Sequence, residues 1–150
     1  MGDYHRYHFP LSGVVREIKI IPATNTSGGL ISWDAQKKKY LFNPTGMGYQ
    51  TIETRGCIIL ETEKYGLVAL LPIGMSPVSS VNFLDSIKVG IKVSKGEEMG
   101  YFLFGGSDFI MIFQKQAGFI LDSPKDVGKT YRHLLMGERY GRLTLNKIIK

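Results

Sequence analysis

The sequence predicts a mainly β fold, a sandwich or barrel-like sheet of short strands followed by one short C-terminal helix. Short runs rich in β-branched and aromatic residues recur along the chain, and turn-forming residues separate them. Eighteen glycines among 150 residues agree with frequent turns. Only one segment has its apolar residues at helical spacing. The length suits a single domain with its own core.

Three strands are predicted in the first half of the chain. Residues 13–22 are rich in Val and Ile with partial alternation, and residues 56–63 and 66–71 form two apolar runs joined by a tight turn. Residues 56–63 and 66–71 are therefore predicted to form a hairpin. Clusters of Asn, Thr, Ser, Gly and Pro at 25–29 and 43–46 are predicted loops.

The second half contains four further predicted strands, at 78–83, 87–93, 99–104 and 109–113, with a polar turn at 94–97. The helix is expected to begin at Ser123, a favourable N-cap, with Pro124 at its first position, and to end at Gly137. The apolar residues at helical spacing in this segment are Val127, Tyr131, Leu134 and Leu135.

The net charge of +6 is concentrated near the C-terminus. Residues 123–150 contain seven Lys or Arg and two Asp or Glu. This basic tail, residues 122–150, follows a predicted core of residues 1–121. It could contact an anionic membrane surface or remain a solvated end. We expect no nucleic-acid partner. No apolar run approaches the roughly 20 residues that span a bilayer, and the N-terminus lacks a signal-peptide core. The expected location is cytoplasmic or peripheral to a membrane.

Two segments carry residues suited to chemistry. The first, residues 3–13, places His5 and His8 three positions apart just before a predicted strand, where side chains project from a loop. The second, residues 95–108, contains Gly105, Gly106 and Ser107 between two apolar runs. Two glycines there suggest a strained or closely approached backbone, although such a triplet is also a common turn.

Together these segments resemble the phosphatidylserine decarboxylase family. Residues 3–13 resemble its Asp-Tyr-His-Arg-x-His-x-Pro-x-x-Gly segment, and residues 95–107 resemble Lys-Gly-x-Glu-x-Gly-x-Phe-x-x-Gly-Ser. Residues 73–81 are similar to the family's Val-Gly-Ala-x-x-Val-Gly-Ser-Ile stretch, with Ser79 in place of a glycine. Arg55 matches the arginine of its Asn-Glu-Arg-Val segment. The four matches keep the family's order and span roughly residues 3–121.

This resemblance implies a pyruvoyl-dependent carboxy-lyase made from a zymogen by autocatalytic cleavage. The cut between Gly106 and Ser107 would give a β-chain of residues 1–106 and an α-chain starting at Ser107. The pyruvoyl group formed from Ser107 would be the covalent cofactor, and no metal is expected. It would bind the substrate amine as a Schiff base and release CO2, converting phosphatidylserine to phosphatidylethanolamine in phospholipid biosynthesis.

The resemblance also implies residue roles. His8 is the expected base for self-cleavage, and His5 is expected to assist decarboxylation. Arg55 and Gly105 are assigned to substrate binding. The β- and α-chains are expected to form a heterodimer, with a homodimer of such pairs left open. The family's fold, a barrel-sandwich hybrid, agrees with the predicted short strands.

The sequence departs from the family pattern at two points that bear on chemistry. The upstream aspartate that orients the base histidine has no counterpart among these residues, because Asp3 belongs to a different motif. A histidine without such a carboxylate has a less fixed tautomer. The cleavage motif reads Gly-Gly-Ser-Asp rather than Leu-Gly-Ser-Thr. Similar variants occur in relatives that resemble decarboxylases of free aromatic amino acids such as tryptophan, which is the alternative substrate class.

Two other functions are considered for this sequence, a biotinyl or lipoyl carrier domain and a zinc peptidase. Residues 89–100 also resemble half of a biotinyl or lipoyl domain, but neither Lys38 nor Lys64 has the setting of an attachment lysine. A zinc peptidase using His5, His8 and His133 would lack the expected aspartate ligand and histidine spacing.

Overall fold

The computed structural model describes residues 4–22, 30–43, 51–74, 80–103, 107–122, 134–139 and 141–145. These segments are mainly β structure, with a turn of 3-10 helix at Lys115–Ala117. The strands, in chain order, are β1 (Arg6–His8), β2 (Gly13–Ile21), β3 (Leu30–Asp34), β4 (Lys39–Asn43), β5 (Thr54–Thr62), β6 (Gly66–Gly74), β7 (Asn82–Phe83), β8 (Lys92–Val93), β9 (Glu98–Tyr101), β10 (Asp108–Phe113), β11 (Phe119–Leu121) and β12 (Gly141–Leu143). None of the described segments forms a helix long and apolar enough to span a bilayer.

The larger sheet has five antiparallel strands in the order β10-β6-β5-β2-β8. Its central strands alternate between buried and less buried residues, as expected when one sheet face covers a core. On β5, Ile58 and Leu60 are on the core face, and on β6 Val68 and Leu70 pair with them. This alternation fixes the register, because a one-residue slip would turn these side chains to the opposite face.

The smaller sheet has three antiparallel strands in the order β1-β9-β7. It packs against the five-stranded sheet, and the sheets curl into a half-barrel. Tyr7 on β1 is buried, and its ring contacts Phe83, Phe102 and Phe109. Its hydroxyl donates to the Asn82 carbonyl oxygen at 2.7 Å. The core therefore joins β1 to the start of β10.

The mainly β prediction is confirmed. Strands β2, β5, β6 and β10 follow the predicted bounds closely. The predicted C-terminal helix falls largely on residues 123–133, which lie outside the described residues. Among residues 80–83 only Asn82–Phe83 is a strand.

Some local predictions are wrong. Residues 87–93 are not one strand, because backbone bonds from Ile87 to Leu84 and from Ile91 to Lys88 form turns, and Gly90 has a φ of +91°. Only Lys92–Val93 is extended. The segment of the two histidines was expected to be a loop, but Arg6–His8 is a strand. Two small two-stranded sheets, the β3-β4 hairpin and the β11-β12 pair, were not predicted.

The basic tail returns to the end of the predicted core. Strand β12, from the tail, pairs antiparallel with β11, with Phe119 opposite Leu143. Asp122 accepts ion pairs from Arg139 and Arg142 at 3.1 and 3.0 Å. At least this part of the tail is therefore ordered against residues 119–122.

Gly100 on β9 has no room for a side chain. A Cβ there would lie 2.7 Å from a carbon of the Tyr7 ring and would overlap the Asn82 carbonyl oxygen. We expect Gly100→Ala to lower the free energy of unfolding by about 1–3 kcal/mol through overpacking. Chemical denaturation would measure it. Gly90→Ala is the control, because a Cβ there meets nothing within 4 Å and only the positive φ is strained. A smaller loss at Gly100 than at Gly90 would contradict this packing.

Candidate active site

The two histidines of the first motif lie at opposite ends of β1. The His5 carbonyl oxygen accepts a hydrogen bond from the Phe102 amide at 2.9 Å, so His5 is beside the end of β9. His8 is paired with Glu98 at the start of β9, after an irregularity in the register. His5 is therefore the histidine nearer to the 103–107 connection, and His8 is nearer to the polar turn at 94–97.

His8 is held by hydrogen bonds on both ring nitrogens. Its Nδ1 lies 2.9 Å from the Gly96 carbonyl oxygen, and its Nε2 lies 2.8 Å from the Tyr4 hydroxyl. A carbonyl oxygen can only accept, so Nδ1 carries a proton, and in the neutral ring Nε2 accepts from Tyr4. The Tyr4 and His8 rings also stack at 5.8 Å. Gly96 thus fixes the tautomer in which Nε2 is the basic nitrogen.

His5 presents a ring nitrogen with unused hydrogen-bonding capacity. Its Nε2 is buried and has no hydrogen-bond partner. The residues Tyr4, His5, Arg6, Tyr101 and Phe102 surround an open depression of about 290 Å³. A buried polar atom without a partner is costly in a folded protein. His5 thus lines the depression while its Nε2 is left without a described partner.

One wall of the depression is ordered by Arg6. Its guanidinium forms an ion pair with Glu98 and lies 5.8 Å from the centre of the Tyr101 ring. Both charged side chains are partly exposed, so the pair contributes little to stability. Its effect is to fix the positions of Arg6 and Tyr101.

Ser107 lies just before the first residue of β10. Asp108 pairs with Ile73 of β6, and continuing this register by one residue brings Ser107 opposite Gly74. By strand alternation Ser107 shares a face with Phe109, which packs against the core. Phe109, two residues after Ser107, contacts the ring of Tyr7, two residues after His5, at 5.7 Å. This contact brings the start of β10 to the sheet that carries His5.

Leu103 and Ser107, the described residues on either side of 104–106, both lie near the end of β6. The Leu103 amide donates to the Ser80 hydroxyl at 3.2 Å. Ser80 in turn approaches Gly74 so closely that a Cβ on Gly74 would lie 2.7 Å from the Ser80 nitrogen. Gly105 and Gly106, predicted for substrate binding and for the cleavage site, lie outside the described residues.

Arg55 lies near the same end of the sheet. It pairs with Ile73, which also pairs with Asp108, so the three residues form a row beside Gly74 and Ser107. Its guanidinium donates to the carbonyl oxygens of Thr51 and Glu53 at 2.8 and 3.1 Å. These bonds hold the Arg55 side chain at the end of β5.

Glu53 was not predicted from the sequence. Its side chain is 0% exposed, and neither carboxylate oxygen has a hydrogen-bond partner. Burial raises the pKa of this carboxyl above its ordinary value. A buried carboxylate that forms no ion pair among the described residues is unusual, since the nearby Arg55 guanidinium bonds the Glu53 backbone carbonyl oxygen instead.

We expect Glu53→Gln to stabilise the chain at neutral pH. The folded state holds the Glu53 proton to higher pH than the unfolded chain does, so wild-type stability falls as pH rises above about 4.5, the ordinary glutamate pKa. The substitution removes that loss. Its melting temperature should exceed wild type by about 2–4 °C at pH 7 and match it below pH 4. Glu63→Gln, at an exposed turn, is the control. An equal gain at both pH values would contradict a raised pKa.

The sequence motifs identified the two histidines, Arg55 and Ser107, but they did not identify the groups that hydrogen-bond to His8. The Gly96 carbonyl leaves no sequence signal, because every residue has one. Tyr4 could have been noticed, since in a strand it shares a face with His8. Among the described residues, no three His, Cys, Asp or Glu side chains gather as metal ligands would, and His133 lies outside them.

Comparison with known proteins identifies one family. The family model for phosphatidylserine decarboxylase matches residues 1–142. A phosphatidylserine decarboxylase proenzyme of Fusobacterium nucleatum is 37% identical, over 93% of this chain and 43% of its own length. The proenzyme 2 of Oryza sativa is 35% identical over 77% of this chain and 17% of its own length.

A more distant relative is a decarboxylase of Amanita muscaria, 28% identical over 83% of this chain and 37% of its own length. The chain thus spans less than half the length of these three relatives. No solved structure matches the chain.

Proposed function

Because the chain belongs to the phosphatidylserine decarboxylase family, we propose that it is the catalytic core of a pyruvoyl-dependent decarboxylase that acts on phosphatidylserine. The proposed cleavage site is the bond between Gly106 and Ser107. The observation that carries the proposal is the position of Ser107. It immediately precedes β10, where continuing the register by one residue places it opposite Gly74, and Phe109, two residues later, contacts Tyr7 of β1.

In the proposed self-cleavage, the Ser107 hydroxyl attacks the Gly106 carbonyl carbon, and the amide becomes an ester. Loss of the Ser107 α-proton then breaks the Cβ–O bond, which frees the Gly106 carboxylate and leaves an enamine. Addition of one water and loss of ammonia leave a pyruvoyl group at the start of the α-chain. The step needs a base, because a serine hydroxyl is a poor nucleophile by itself.

His8 is the proposed base. The bond to the Gly96 carbonyl supports this role, because it keeps the proton on Nδ1 and the lone pair on Nε2. A carboxylate performs the same orienting task in serine hydrolases. In this chain the backbone carbonyl of Gly96, in the turn at 94–97, orients the His8 ring. The Tyr4 hydroxyl occupies Nε2 and would have to turn away before His8 could accept a proton.

Once formed, the pyruvoyl group supplies an electron-accepting carbonyl for decarboxylation of an amine-bearing substrate. The residues around it are proposed to bind and orient that substrate. His5, with its unpartnered Nε2, is proposed to assist decarboxylation by handling a proton at the reacting carbon. Arg55 is proposed to bind an anionic substrate group, for which a guanidinium is well suited. Gly105 is proposed to let the backbone approach the substrate.

The two chains should remain together after cleavage. Strand β10 of the α-chain pairs with β6 of the β-chain over six residues, and Phe109 packs in the shared core. Cutting before Ser107 breaks neither contact. The proposed product is therefore a β/α heterodimer, and a homodimer of such pairs remains a further proposal. We propose that it works at the surface of a membrane, where its substrate lies.

A substrate assay tests this function. The β/α product of the whole chain should convert phosphatidylserine in detergent micelles to phosphatidylethanolamine, which mass spectrometry would detect. Free tryptophan is the alternative substrate, because the Gly-Gly-Ser-Asp motif resembles that of relatives similar to aromatic amino acid decarboxylases. Turnover of tryptophan without phosphatidylserine would replace the lipid reading with the amino acid reading. Cleaved protein that turns over neither would contradict the proposed function.

A further inference from the structure

The hairpin of β3 and β4, residues 30–43, carries two large aromatic side chains on its surface. Trp33 and Tyr40 are directly opposite each other in the register, so they share one face of the hairpin. Their rings meet edge to face at 5.0 Å. Trp33 is nevertheless 54% exposed and Tyr40 67% exposed. The two strands form a sheet of their own, separate from both larger sheets.

The tip of the same hairpin is basic. Lys37, Lys38 and Lys39 follow one another at the turn, and all three are exposed. Asp34 accepts the amide hydrogens of Gln36 and Lys37 at 3.0 and 2.9 Å, which shapes the turn. Asp34 also lies 3.5 Å from the Lys37 ammonium. Lys39 lies opposite Asp34 in the register and directly precedes Tyr40, and Lys38 lies in the turn before it.

From this arrangement we propose that the β3-β4 hairpin is a docking surface for an anionic phospholipid membrane. Trp and Tyr are the side chains favoured at the headgroup level of bilayers, where an apolar ring and a polar edge are both satisfied. Adjacent lysines are attracted to the negative surface potential of anionic lipids. A protein partner fits less well, because lysine is depleted at protein–protein interfaces.

The inference deepens the proposed function and rests on it for its meaning. A phosphatidylserine substrate resides in such a surface, and the hairpin would hold the chain there while the site at β1 and β10 acts on a headgroup. The basic tail was the membrane contact expected from the sequence. The hairpin is a second and separate surface, which adds the aromatic residues that the charge pattern alone did not reveal.

Trp33 makes the proposal directly measurable, because it is the only tryptophan in the chain. Vesicles of phosphatidylcholine with phosphatidylglycerol are anionic but contain no phosphatidylserine. Binding to them is therefore measured without turnover. We expect Trp33 emission to shift to shorter wavelength with these vesicles and to be quenched by lipids brominated on their acyl chains. Pure phosphatidylcholine vesicles should give a much smaller shift.

Charge variants locate the contact. Lys38→Gln/Lys39→Gln should weaken binding to the anionic vesicles by roughly 30-fold, since each basic residue near such a surface contributes about 1 kcal/mol. Lys64→Gln/Lys88→Gln removes the same charge at exposed sites elsewhere and should change binding by less than about twofold.

Three results would overturn the proposal: unchanged Trp33 emission at saturating anionic lipid, equal weakening by the two variant pairs, or a blue shift that depends on protein concentration without lipid. The last would assign the hairpin to a second copy of the chain. Because no substrate is present, failure of this test is separate from failure of decarboxylation.

Discussion

We expect Ser107→Ala to leave the chain uncut and without decarboxylase activity. Removing the hydroxyl removes both the nucleophile that attacks Gly106 and the ester oxygen that must leave Cβ before a pyruvoyl group can form, so the expected loss is complete. Denaturing electrophoresis should show one chain where wild type shows two fragments that separate at residue 107. The backbone pairing of β10 does not involve this side chain, and the fold should survive.

Two further variants make the Ser107 result specific. Ser94→Ala, in the exposed turn at 94–97, should be cut as wild type is. Ser107→Cys keeps a nucleophile at the same atom position and should be cut at a different rate rather than remain intact. Cleavage of Ser107→Ala before residue 107 would show that an outside protease makes the cut, and would refute self-processing.

His8→Gln should slow self-cleavage by about 10²–10⁴-fold, the usual contribution of a general base. Glutamine is close in size and can still donate to the Gly96 carbonyl, so the local structure is retained while the basic nitrogen is lost. The rate should be followed from freshly translated chain by the appearance of the residue 107 fragment. Tyr4→Phe frees Nε2 from its hydrogen bond and should leave cleavage unchanged or faster.

His5→Gln is the matched partner variant. It should be cut at close to the wild-type rate but should lose turnover of phosphatidylserine, because its proposed role begins after cleavage. The opposite pattern, with His5→Gln uncut and His8→Gln processed, would exchange the two roles. The position of His5 beside Phe102, near the 103–107 connection, would then account for the exchange.

Long, alternating strands could be predicted from the sequence, whereas short ones could not. Strands β2, β5 and β6 have nine residues each, enough to show periodicity. Strand β1 has three residues, and β11 and β12 pair across about 20 residues of chain. Such strands depend on partners supplied by the tertiary fold. Residues 87–93 failed for the reverse reason, since the buried side chains of Ile87 and Val93 flank an exposed turn rather than belong to one strand.

The sequence predicted part of the candidate site, and the remaining part required the structure. Histidine, serine and arginine side chains can act as bases, nucleophiles or anion-binding groups. Their positions in the motifs therefore pointed to His5, His8, Ser107 and Arg55. Backbone groups do not stand out, and the Gly96 carbonyl that orients His8 required a structure. Glu53 required one too, because an acid in a turn is ordinarily exposed and charged. Its burial follows from packing at the end of β5.

The central claim, that Ser107 becomes the cofactor, is tested most directly by the mass of the α-chain. Intact-mass spectrometry of purified full chain should show two fragments, with the one that begins at residue 107 lighter by one ammonia than a serine terminus requires. That fragment should also resist Edman sequencing. A single chain of 16.8 kDa, or a fragment that begins with an ordinary serine amine, would contradict the account.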